Sequence, residues 1–223
     1  MSLIDISNPN SFRTKLRKKR IKHLIGFVEK VLAKEKRKVL NICDIGGNFY
    51  YWNIFPFEKF AEVTFNITLV NIDEKNFFKE ITKNNVKFSA LVADACDMNT
   101  IKDKQFDIAH SNSVIEHVGG WARIKLMRNE IGRIATYHFI QTPNYGFPIE
   151  PHYVLPIVHW LPRPLVTRIL MNRKKIDFNR ATELFEENRM LTKREFWWLF
   201  KGSSFIVERF YLFPKSLIAM TNL

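Results

Sequence analysis

The sequence predicts an α/β fold: a doubly wound, mostly parallel sheet with helices on both faces and a C-terminal antiparallel hairpin. Three observations carry this expectation. Apolar strand-like runs alternate with helix-like stretches between residues 38 and 141, the pattern of parallel strands joined by crossover helices. The run Val39-Leu40-Asn41-Ile42 leads into Cys43-Asp44-Ile45-Gly46-Gly47-Asn48-Phe49, which reads as a buried strand ending in an acid and a tight glycine turn. Near the C-terminus, Phe205–Phe213, then Pro214, then Ser216–Thr221 read as two strands joined by a short turn.

The elements follow in order. Residues 1–10 form a lead-in, and Ser11 is placed to cap a basic helix. In that helix Ile21, Leu24, Ile25, Val28, Val31 and Leu32 recur at helical spacing as one apolar stripe. The five parallel strands are expected near 38–43, 67–72, 87–93, 106–111 and 135–141, with a helix around 121–133. Residues 143–164 then hold six prolines, with Tyr145, Phe147, Tyr153 and Trp160 among them. This stretch reads as an insertion lying over the carboxyl edge of the sheet, or as a small hydrophobic subcore beside it. Thr192 with Glu195 makes a capping-box start for a helix through about 201, and Gly202 suits its end.

The bulk composition narrows the function classes. A chain of 223 residues, 46% hydrophobic, with 20 Phe and 5 Trp, can bury a sizeable core and does not read as disordered. No apolar run approaches the ~18 residues of a membrane span, and the N-terminus lacks the pattern of a secretory signal. Cys43 and Cys96 sit in strand-like contexts and are expected reduced and buried. The cytoplasm is the expected location, with peripheral contact at the inner membrane face as a variant of it. Net charge is +13, but residues 13–38 alone hold twelve Lys or Arg against Glu29 and Glu35. The argument from charge to partners therefore concerns one segment, residues 1–37, ahead of a main domain at 38–223 whose insertion covers about 143–190.

Ligands of a parallel sheet bind outside the carboxyl ends of its strands. Asp44 with Gly46-Gly47, Asp73, Asp94, Ser111-Asn112 and Thr142-Pro143-Asn144 all fall at such ends. An acid after the second strand can accept from two ribose hydroxyls, and one near the third from an adenine amine. Glycine after the first strand lets a ligand approach the backbone. The set describes an adenosine-containing cofactor. Each residue also has a plainer reading: a strand-to-helix turn for Gly46-Gly47, a helix N-cap for Asp73-Glu74, turn residues for Asp94 and Asp97.

Leu40-Asn41-Ile42-Cys43-Asp44-Ile45-Gly46-Gly47 resembles the first motif of class I S-adenosylmethionine-dependent methyltransferases. Phe106-Asp107-Ile108-Ala109-His110-Ser111-Asn112-Ser113-Val114-Ile115-Glu116-His117-Val118 closely resembles the fourth-strand motif of their type 11 branch. Asp94-Ala95 fits the third-strand acid, and Thr142-Pro143-Asn144 with Pro148-Ile149-Glu150-Pro151-His152 is similar to a segment found in some bacterial members. The resemblance implies a Rossmann-like sheet of order 3-2-1-4-5-7-6 and S-adenosyl-L-methionine as cofactor. It assigns Asp44 and Gly46, with Gly47 beside it, to the methionine end. Asp73 goes to the ribose diol, Asp94 and the Ala95 backbone to the adenine, and Ser111 or Asn112 to the floor beneath the sulfonium. Asn48 and Tyr50 stand where the family has glycine.

Methyl transfer from a sulfonium needs the acceptor held in line, and an oxygen acceptor also needs a base. His117, Glu150 and His152 are the candidate catalytic residues. His117 could equally pack or cap a helix, and His152 could only anchor its loop. No pair among them has the tight spacing of a metal motif, so no metal is expected. The expected acceptor is a hydroxyl of a small molecule, a sugar or a lipid-linked glycan intermediate. The basic helix fits packing on the sheet together with attraction to an anionic membrane surface. Nucleic acid is the second choice of partner, because no Pro-Pro-Tyr type motif follows strand four. A non-catalytic protein keeping the fold is the remaining alternative, motivated by Asn48 and Tyr50.

Overall fold

The computed structural model describes residues 12–73 and 80–223, with side chains from Lys19 onward. Ser11 and Glu74 lie outside the described residues. Helix α1 (Phe12–Glu35) precedes β1 (Val39–Ile45), the short α2 (Phe49–Trp52), β2 (Thr64–Asn71), β3 (Ile81–Lys83), β4 (Val86–Val92) and β5 (Phe106–Asn112). Then come α3 (Trp121–Ile134), β6 (Ala135–Pro143), β7 (Ile149–Glu150), β8 (Leu155–Pro156), α4 (Arg163–Lys174), α5 (Phe178–Glu186), α6 (Lys193–Leu199), β9 (Ser204–Phe210) and β10 (Phe213–Met220).

Eight strands form one sheet in the order β3-β4-β2-β1-β5-β6-β10-β9. The five expected parallel strands are β4, β2, β1, β5 and β6. β10 pairs antiparallel with β6 and with β9, so the expected order holds from β4 to β9. The addition is β3, a three-residue antiparallel edge strand on β4. The hairpin turn falls at Tyr211-Leu212, with Tyr211 at φ +51°. Pro214 lies inside β10, where the register shifts between Pro214 and Ser216. A proline there removes no ladder bond that a regular strand would need.

Because side chains alternate across a strand, the sheet has two cores. On one face Cys43, Ile45, Ala109, Ile140, Leu217 and Ala219 meet α3 and α6. α3 presents Ile124, Met127, Ile131 and Ile134 at helical spacing. On the other face Leu40, Ile42, Ile108, Phe139 and Ile218 meet α1 and α2. Ile21, Leu24, Phe27, Val28 and Val31 of α1 are buried there, so the apolar stripe packs on the sheet, while Lys19, Lys22, Lys30 and Lys34 are exposed. β1 and β5 are central and buried almost throughout.

The Pro-rich insertion makes its own small core. Val158, Val166, Leu170 and Ala181 are buried among Tyr153, Leu155, Leu161 and Phe185, with α4 packed on α5. α6 opens with the expected capping box: Thr192 accepts from the Glu195 N–H, and Glu195 accepts from the Thr192 N–H. Among the described residues no helix is long and apolar enough to cross a membrane.

Candidate functional site

Strand order reverses between β1 and β5, since β2 and β4 extend one way and β6 the other. The crevice at their carboxyl ends is where such sheets bind ligands. Gly46 sits there at φ +67°, a left-handed conformation, and a Cβ on it would lie 2.4 Å from a Val114 methyl. Glycine is required on both counts. Gly47 has a different constraint: a Cβ there would fall 1.9 Å from Asp44 Oδ2. The turn is drawn tight over the Asp44 side chain.

Asp44 is buried, and both its oxygens are bonded within the chain. Oδ1 lies 2.6 Å from His110 Nδ1, and Oδ2 accepts from Trp52 Nε1 at 2.8 Å. His110 Nε2 is 3.3 Å from the Tyr51 hydroxyl, and its ring lies among Tyr51, Trp52 and Phe139. Asp44 therefore braces α2 against the sheet. Asn48 accepts from the Tyr51 N–H and caps α2, which gives a local reason for asparagine where glycine is the family habit. Tyr50 is exposed.

The other expected ligands divide. Ser111 is buried, and its hydroxyl donates to the Ile45 carbonyl at 3.1 Å, tying β5 to β1. Asn112 is half-buried and receives Arg20 Nη1 at 2.6 Å. Asp73 is exposed at the carboxyl end of β2, and Ala95 is half-buried after β4. Asp94 accepts two bonds from Arg123 Nη2, at 2.9 and 2.8 Å, and one from the Cys96 N–H. These bonds, the Arg123 guanidinium first, hold its carboxyl below the usual range.

The three candidate catalytic residues come together past β5 and β6. His152 Nδ1 lies 2.5 Å from Glu150 Oε1, and Glu150 Oε2 accepts from the Tyr153 N–H. His152 Nε2 faces His117 Nε2 at 3.1 Å. Burial, then the neighbouring His152, pushes the His117 pKa down. The Pro-rich ribbon β7–β8 brings Glu150 and His152 to His117, 35 residues earlier.

Four contributors were missed from the sequence. Arg20 is buried at the end of the α1 stripe and bonds Glu208, Asn112, Gln141 and Ser216. It stands four residues before Leu24, on the apolar line, and a lone arginine there was the available signal. His110 and Trp52 hold Asp44. Glu116 is fully buried, accepts from the Thr142 hydroxyl at 3.0 Å and keeps Oε1 unpartnered. Burial pushes its carboxyl up to about 7. Away from these groups, an aromatic cleft of about 450 Å³ lies between α2 and the amino end of β4, lined by Phe49, Trp52, Phe55, Phe57 and Phe88.

A family model described as a methyltransferase domain matches residues 54–136, from α2's exit to the start of β6. Two uncharacterized Mycobacterium tuberculosis proteins, from strains CDC 1551 and H37Rv, are each 34% identical over 74 residues. That match covers 33% of this chain and 24% of each relative, so it spans about a quarter of their length. A SAM-dependent methyltransferase from Archaeoglobus fulgidus has the same fold, with TM-score 0.52 and 12% identity, over 96% of this chain and 97% of that one. The PH0226 protein of Pyrococcus horikoshii has TM-score 0.53 and 14% identity, over 96% and 93%. A match to a methyltransferase-domain model over residues 54–136 thus sits on the fold of a SAM-dependent methyltransferase.

Proposed function

We propose that the protein transfers a methyl group from S-adenosylmethionine to a hydroxyl of a small molecule, a sugar or a lipid-linked glycan intermediate. The observation that carries this reading is the Glu150–His152–His117 group beside the β1/β5 crevice. Glu150 orients His152, whose imidazole accepts the hydroxyl proton as the oxygen attacks the methyl carbon. The carbon–sulfur bond breaks, and S-adenosylhomocysteine leaves. Holding the two reactants in line accounts for most of the catalysis, roughly 7–11 kcal/mol. Asp73 holds the ribose, Ala95 and Asp94 border the adenine, and the Gly46-Gly47 turn admits the methionine end. Asp44 acts on the cofactor only through the turn it braces.

Calorimetry with S-adenosylhomocysteine tests the cofactor half of the reading. Micromolar binding that Asp73→Ala weakens by tenfold or more, about 1.4 kcal/mol, is expected. No binding to the wild-type chain would leave a non-catalytic protein that keeps the fold. The committed carboxylates of Asp44 and Asp94 favour that second reading. The acceptor half is tested with methyl-labelled cofactor and hydroxylated acceptors, against RNA and DNA in a salt series. The exposed Lys19, Lys22, Lys30 and Lys34 of α1 support contact with anionic lipid, measured by co-sedimentation with acidic vesicles.

A further inference from the structure

Beyond β5 and β6, three side chains turn nitrogen and oxygen atoms toward one another. His117 Nδ1 lies 3.3 Å from the Glu187 carbonyl oxygen. A carbonyl only accepts, so this nitrogen carries the hydrogen. His152 Nδ1 faces a Glu150 carboxylate oxygen at 2.5 Å, which assigns the same tautomer. Both Nε2 atoms are then bare in the neutral rings, yet they face each other at 3.1 Å. Glu116 Oε1, buried and unpartnered, stands 4.0 Å from His117 Nε2. Two lone pairs at that separation repel unless something positive lies between them.

We propose that His117 Nε2, His152 Nε2 and Glu116 Oε1 form a site for a divalent transition-metal ion. The three ligand atoms lie within 4.8 Å of one another. Bonds of 2.0–2.1 Å in a tetrahedral shell separate two ligands by roughly 3.3 Å. The two nitrogens already meet that spacing, and Glu116 Oε1, 4.0 Å from His117 Nε2, has to move closer. Each imidazole donates its other nitrogen to an oxygen, Glu150 for one and Glu187 for the other, the arrangement that orients histidine on a metal. Two imidazoles and one carboxylate suit Zn²⁺ or a neighbouring first-row ion over Mg²⁺ and Ca²⁺, which take oxygen shells. Three protein ligands leave a coordination position open. The side chains of His117 and His152, 39% and 20% exposed, give an ion a way in.

The site goes beyond the methyl-transfer reading and stands on its own geometry. If that reading also holds, an ion on His152 Nε2 would occupy the lone pair assigned above to the hydroxyl proton and would supply Lewis acidity to the acceptor hydroxyl in its place.

The full chain, stripped with chelator, is titrated with Co²⁺ and Zn²⁺ in the absence of cofactor and acceptor. One ion per chain is expected, with a visible Co²⁺ band of nitrogen and oxygen ligation and a rise in Tm. Millimolar Mg²⁺ is expected not to compete. E150Q should weaken binding about 10–100-fold, and H117Q or H152Q should weaken it further, with unchanged circular dichroism. Absence of stoichiometric binding overturns the proposal, since a shared proton then joins the rings. Equal binding by the H117Q/H152Q double variant overturns it as well. S-adenosylhomocysteine binding, measured in parallel, keeps the two readings apart. A chain that binds the nucleoside and no ion loses only the metal site, and the converse loses only the methyl transfer.

Discussion

Two carboxylate–histidine groups lie at the carboxyl side of this sheet, and they are built to opposite rules. Beneath the glycine turn, Asp44 accepts from His110 and Trp52, and His110 reaches Tyr51. Every polar atom of Asp44 is matched, and aromatic rings close around the group. Past β6, Glu150 orients His152, but the chain ends in acceptors: two imidazole nitrogens face each other and one Glu116 oxygen has no partner. The same residue types serve as a brace in one place and as unspent chemistry in the other. The difference is the balance of donors and acceptors, since a satisfied buried network rigidifies and a half-satisfied one waits for a ligand or proton.

Substitutions can break that contrast. The largest effect is expected on rate. His152→Gln should lower methyl transfer by about 10²–10⁴-fold while the urea midpoint hardly moves; a midpoint that falls as far as in Asp44→Ala would make both groups braces. Asp44→Ala orphans two buried donors and should cost roughly 2–6 kcal/mol in urea unfolding. Stability within 1 kcal/mol of wild type would show that Asp44 braces nothing.

A third histidine sharpens the comparison through pH. His138 bonds Ser203 and Thr221, and burial, followed by the charges of Arg128 and Lys104, pushes its pKa down to about 4. Between pH 6.5 and 4 the unfolded chain takes up a proton that the folded chain refuses. Stability is therefore complete above 6.5 and falls toward pH 4, on the order of 3 kcal/mol. His138→Gln should flatten that slope in pH-dependent urea melts; an unchanged slope assigns it to other groups. The smallest effect is expected at the surface. Arg123→Gln frees Asp94 from its paired bonds and should change stability by less than about 1 kcal/mol, while the Asp94 carboxyl resonance titrates at higher pH than in wild type. A larger loss of stability would mean that Asp94 belongs with the braces.

Much of the frame was legible because strand identity is local. Val39–Ile45, Phe106–Asn112 and Ala135–Pro143 are strand-length stretches anchored by apolar residues such as Ile42, Ile108 and Phe139. β3 was hidden because its three residues are all exposed and carry no alternation. α4 and α5 were hidden because they follow directly on the Pro-rich stretch, and their small core forms only where they meet. The sites were less legible for a geometric reason. Asp44 and His110 are register partners across β1 and β5, and register is not written in either strand alone. Glu116 stood inside a recognised motif, but its orphan oxygen depends on Thr142 and His152 arriving from elsewhere. The tight turn of Gly47 likewise reads as ligand room in the sequence and as room for a carboxylate in the structure.

Arg20 adds a consequence in time. Its guanidinium joins side chains of β5, β6, β9 and β10, and its Glu208 partner lies 188 residues along the chain. At 5–20 residues per second, synthesis takes about 10–40 s to deliver that partner. Until then Arg20 lacks its carboxylate, so the clasp across the four strands closes only after β9 and β10 are made.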